Sequence, residues 1–151
     1  MRLQAGHDVA AAQRTAAALG AFVQAAPSRA VAAYGHVADA LVAIARGDAE
    51  AARAAFEAAQ ATPDLVPWDR LRIAECYVPW LIEHGDTDRA AEIVGLLGDV
   101  TYRNYDAAVL EVRLYLATRQ HAAWQAALDR ADALAAERTI DPALREFPGP
   151  R

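Results

Sequence analysis

The stretch RGDAEAARAAFEAAQATPD, residues 46–64, decides the fold. A Gly-Asp pair stands between two alanine-rich segments. Glycine tolerates the left-handed backbone of a helix exit, and aspartate accepts bonds from the orphan N–H groups that open the next helix. Gly47 and Asp48 therefore read as a tight turn between two helices. The same arrangement returns in HGDTDRAAEIVGLLGDV, residues 84–100, where Gly85 follows Gly47 by 38 residues. Arg119 follows Gly85 by 34, in a third segment of similar pattern. Around the three anchors the same residue classes recur: Ala40, Val78 and Val112 before the turn, then Ala52, Ala90 and Trp124, then Phe56, Val94 and Leu128, then Ala59, Leu97 and Ala131. Small residues let paired helices approach closely, and the larger ones fill the space between one pair and the next. A period in this range is that of a helical repeat protein.

Working outward, apolar residues recur at helical spacing, and no short stretch rich in alternating β-branched residues suggests a strand. The pattern predicts helices over about 8–20, 28–46, 48–61, 67–84, 86–97, 103–119 and 121–138, an all-α chain of about seven helices. Asp8, Ser28, Asp48 and Asp86 suit N-caps, Pro67 suits a first helical position, and Gly6, Gly47 and Gly85 mark exits. Pro79 falls inside the fourth helix, where it cannot donate to the Glu75 carbonyl and should bend the helix. Asp141 and Pro142 offer the start of a short closing helix, with Leu144 and Phe147 set to cover the last helix pair.

Composition agrees. Aromatics are 7% of the 151 residues against 55% hydrophobic, so alanine carries much of the apolar content and the helices should be thin and closely spaced. The length suits a single domain, 1–151. Net charge is −5 with no long block of one sign, which disfavours nucleic acid and anionic membrane surfaces as partners. All fifteen basic residues are arginine, and GC-rich codon usage accounts for that bias. No apolar run approaches the roughly 20 residues that span a bilayer. No membrane insertion is expected, and the compartment expected is cytoplasmic, or periplasmic within a longer membrane-anchored protein.

With these residues in place, the chain resembles the tetratricopeptide repeat (TPR) family, whose unit is a helix-turn-helix with a turn glycine, a small residue after it, a large apolar residue and a closing small residue. The match is best in ADALVAIARGDAEAARAAFEAAQATPD, moderate in CYVPWLIEHGDTDRAAEIVGLL, and weak in VRLYLATRQHAAWQAALDRADAL, where Arg119 replaces the glycine and Trp124 the small residue. The aromatic of the first helix is replaced by His36, Ala74 and Ala108. The resemblance implies antiparallel helical hairpins stacked as a short right-handed α-solenoid. A partial repeat over 1–27 would be followed by repeats over about 28–64, 65–102 and 103–138 and a cap over 139–151. It also implies a non-catalytic scaffold binding a protein or peptide segment through a concave groove. An alternative from another class is the C-terminal sensory or regulatory region of a longer bacterial transcriptional regulator or signalling protein.

Catalytic and metal chemistry find no foothold. His7, His36, His84 and His121 are scattered, and no pair has metal-ligand spacing. Glu83, Asp86 and Asp88 read as caps and dipole partners rather than a calcium loop. Cys76 and His84 lie about 12 Å apart by helical rise alone, so they do not form a nucleophile and base. No phosphate loop or nucleophile elbow occurs, and no cofactor, metal or catalytic residue is expected. In stacked hairpins the first helix of each pair lines the concave side. Its outward positions here are Tyr34, Val37, Leu41 and Ile44, then Arg72, Glu75, Pro79 and Ile82, then Asp106, Val109, Arg113 and Leu116. Val37, Leu41, Ile44 and Leu116 serve equally well as packing residues. The groove contacts expected are therefore Tyr34, Arg72, Glu75, Pro79, Asp106 and Arg113. Self-association as a homodimer is expected through Phe22 and Val23, whose apolar surface the N-terminal helix cannot cover alone.

Overall fold

The computed structural model describes residues 28–148 together with Arg14, Ala17 and Ala18. These three are helical and exposed, but the rest of the helix expected over 8–20, and Phe22 and Val23 with it, lie outside the described residues. Every regular element among the described residues is helical. None of their helices is long and apolar enough to cross a membrane. The chain divides into two compact units, Met1–Ile73 and Ala74–Arg151.

In the first unit, α1 (Arg29–Arg46) starts where the Ser28 side chain accepts the Val31 N–H at 3.2 Å. It packs against α2 (Ala49–Gln60). Ala33, Val37, Ala40, Val42 and Ala43 of α1 are buried, as are Ala52, Phe56 and Ala59 of α2. The alanines of this pair leave room for one large ring, that of Phe56, which is fully buried. Beyond α2, Leu65 is buried and Pro67 opens α3 (Pro67–Glu83), whose Leu71 and Ile73 complete this unit's core.

The second unit takes the remainder of α3, then α4 (Thr87–Leu96), the single turn α5 (Val100–Arg103), α6 (Tyr105–Ala117), α7 (His121–Leu134) and a 3-10 turn at Pro142–Leu144. α6 and α7 pack along each other, and α4 and α5 both meet α6. The helix expected over 103–119 is α6, and the single turn α5 precedes it where no helix was expected. Asn104 separates them in an extended conformation and accepts the N–H groups of Asp106 and Ala107 at 2.8 and 3.2 Å.

Three turns share one geometry. Gly47, Gly85 and Arg119 all have left-handed φ, at 75°, 79° and 56°. At each, the N–H reaches back to the carbonyl three residues earlier: Ile44, Ile82 and Leu116. The next N–H reaches five residues back, from Asp48 to Ala43, Asp86 to Leu81 and Gln120 to Tyr115. This double bond pattern satisfies the orphan carbonyls of a helix end. Asp48 and Asp86 then cap the following helices through the N–H groups of Ala51 and Arg89. All twelve positions that recur around the three turns are buried, from Ala40 to Ala131.

Trp124 is the misfit in that register, and the chain end explains it. Its indole is only 5% exposed. The indole N–H donates to the Leu144 carbonyl at 2.9 Å, and its ring lies 5.1 Å from that of Phe147. Asp141 caps the 3-10 turn by accepting the Ala143 N–H, while Ile140 and Leu144 are buried beside Trp124, Ala127, Leu128 and Ala131. The closing segment thus supplies the apolar wall and the acceptor that a large indole needs in place of alanine.

Candidate functional site

The six expected groove residues divide between the two units. In the first, both are engaged locally. The Tyr34 hydroxyl donates to Asp69 Oδ1 at 2.7 Å, tying α1 to the first turn of α3. The Arg72 guanidinium lies 4.5 Å over the Trp68 ring, one helical turn earlier on α3. Trp68 is 49% exposed, so the cation shields an indole face that would otherwise meet water.

In the second unit the structure brings the other four together. Glu75 and Pro79 from α3, and Asp106 and Arg113 from α6, line one cleft of about 250 Å3, with Val109 and Leu110 as its apolar wall. Helical spacing places them so: Glu75 and Pro79 are one turn apart on α3, and Asp106, Val109 and Arg113 are successive turns of one face of α6. Pro79 has no N–H and so makes no helical hydrogen bond to the Glu75 carbonyl. Asp106 sits in the first turn of α6, where the helix dipole favours an anion. It is paired at 3.5 Å with Arg138, whose guanidinium covers the Tyr105 ring at 4.0 Å. The cleft is thus lined by two carboxylates and one guanidinium around a short apolar wall.

Other groups are committed to structure. Among the described residues no group of His, Cys, Asp and Glu side chains could hold a metal ion. The His84 imidazole stacks on Trp80 at 4.0 Å, and its Nδ1 lies 2.8 Å from the Trp80 carbonyl. Burial, with Glu75 adding to it, raises the Cys76 thiol above its ordinary value, so the reactive thiolate is suppressed at neutral pH. One feature escaped sequence reasoning. Glu111 is buried and pairs with Arg130 of α7. The sole hint was a carboxylate set among Leu110, Val112 and Leu114, on the side of the helix that has to be apolar. Compared with known protein families, curated proteins and solved structures, the chain shows no match.

Proposed function

We propose that the chain is a non-catalytic scaffold of stacked helical hairpins, resembling tetratricopeptide repeats, that binds an extended segment of a partner protein. The observation that carries this reading is the cleft in the second unit, where four groove residues picked from turn spacing line one surface. Three turns of one geometry and a shared buried register support the hairpin architecture. At about 250 Å3 the cleft is below the roughly 300–1,000 Å3 of small-molecule sites, so it suits one side chain of a longer segment. Arg113 would meet a carboxylate or backbone carbonyl of that segment.

The test begins with the whole chain as bait in an extract of its source cell and identification of the retained protein. A peptide from that protein is then titrated calorimetrically. Arg113→Ala should weaken binding at least tenfold, about 1.4 kcal/mol, while the melting temperature stays within a few degrees. Unchanged affinity in Arg113→Ala and in Glu75→Ala would remove the cleft from the interface.

A further inference from the structure

A second cavity, of about 360 Å3, lies wholly within the second unit and is walled by α4, α5 and α6. Val94, Gly95 and Leu114 form apolar lining; Asp99, Tyr102, Glu111, Tyr115, Thr118 and Gln120 form the polar part. Thr118 and Gln120 are already engaged. The Thr118 hydroxyl donates to the Leu114 carbonyl at 2.9 Å and accepts from Gln120 Nε2 at 3.1 Å. Asp99 heads α5 but makes no side-chain capping bond. A guest therefore meets two phenol rings and two carboxylates, of which Glu111 is already paired with Arg130.

The protein itself shows what this chemistry selects. Arg130 reaches in from α7, pairs with Glu111 and sets its guanidinium 5.0 Å from the centre of the Tyr102 ring. Carboxylate and aromatic face together are the recognition elements for organic cations. Burial, and next the Glu111 charge, hold the Tyr115 phenol above its ordinary value of 10.0, so this ring stays neutral. The cavity volume is within the roughly 300–1,000 Å3 of small-molecule sites.

We propose that this cavity binds a small organic cation of the alkylammonium or guanidinium class, with Asp99 and Glu111 as its charge partners and the Tyr102 and Tyr115 rings as its aromatic surfaces. Arg130 is the resident counterpart. It keeps Glu111 from standing as an uncompensated buried charge, and it shares the Tyr102 face with the guest. The inference stands apart from the peptide cleft, with which it shares no lining residue.

Agmatine, which carries a guanidinium and an ammonium, is the probe, and 1,4-butanediol is the neutral control. Both are titrated into the full chain at matched ionic strength, by calorimetry and by thermal melts. Agmatine should bind at one site and raise the melting temperature at concentrations up to about 10 mM, since a ligand selective for the folded state stabilises it; the diol should do neither. Tyr102→Leu should weaken agmatine about fivefold. Asp99→Asn, at an exposed position outside the core, should weaken it roughly threefold without moving the unliganded melt. Glu111→Gln should abolish binding where it folds, and the two exposed variants decide the matter where it does not. Absence of agmatine binding, equal stabilisation by the diol, or wild-type affinity in both Tyr102→Leu and Asp99→Asn would overturn the proposal.

Discussion

Arg119 holds a φ of 56° that its counterparts Gly47 and Gly85 hold at no steric cost. Left-handed backbone costs an L-residue roughly 1 kcal/mol, and a Cβ added at Gly47 or Gly85 would meet no atom within 4 Å. The difference between glycine and another residue at these turns is therefore one of backbone conformation alone. Gly85→Ala should lower stability by about 1 kcal/mol, and Arg119→Gly should raise it by a similar amount. Urea unfolding checks both; equal midpoints would mean the turn strain is relieved elsewhere. Titration supplies a second expectation. Cys76 and Tyr115 are both held above their ordinary values of 9.0 and 10.0, chiefly by burial. The folded state therefore favours their protonated forms. That contribution is fully present below pH 9.0 and is lost as pH rises through the folded values. Between about pH 9 and 11 the wild type should lose stability faster than a Cys76→Ala, Tyr115→Phe double variant, as denaturant midpoints taken along the series would show.

At the level of elements, the closing segment 140–148 earns its order through contacts. Ile140 and Leu144 are buried, and the Leu144 carbonyl is the acceptor for Trp124. Deleting residues 140–151 removes these apolar side chains, uncovers Trp124, Leu128 and Ala131, and leaves the indole N–H without its acceptor, a loss of roughly 3 kcal/mol or more. The melting temperature should fall by several degrees, and Leu144→Ala alone should reproduce part of the drop; an unshifted melt in both would show that the segment contributes no stability. The segment was legible in the sequence because Asp141-Pro142 is a strong start signal and Leu144 and Phe147 are its apolar pair. Two features were less legible. The short α5 was not expected, because a single turn ahead of the Asn104 cap holds too few residues for a helical period to show. Likewise α7 stops at Leu134, although Ala135, Ala136, Glu137 and Arg138 are good helix formers. There the stop comes from a left-handed Ala136 and from Arg138, whose guanidinium donates to the carbonyls of Leu134 and Ala135. Neither a positive φ at alanine nor a side chain folding back is visible as a pattern of residue types.

Across the whole molecule, what could be read depended on sequence distance. Turn chemistry and the register of buried positions are local, and Gly47, Gly85, Phe56 and Val94 announced them. The candidate cleft was half legible. Regular helical spacing located Glu75, Pro79, Asp106 and Arg113, but the same spacing also named Tyr34 and Arg72, whose ties to Asp69 and Trp68 depend on how the first unit folds. The Glu111–Arg130 pair was not legible, because a buried carboxylate is explained by a cation 19 residues away on another helix. The three tryptophans carry a further consequence of this uneven burial. Trp68 is half exposed in the first unit, while Trp80 and Trp124 are buried in the second. In optical terms the chain holds two separable emitters: a red-shifted one that aqueous iodide quenches, and a blue-shifted pair that it does not reach. As denaturant rises, the iodide-quenched signal follows the surroundings of Trp68 and the blue edge follows those of Trp80 and Trp124. Whether the two units lose their structure in one step or in succession can then be seen in the unlabelled protein, from the coincidence or separation of two fluorescence curves.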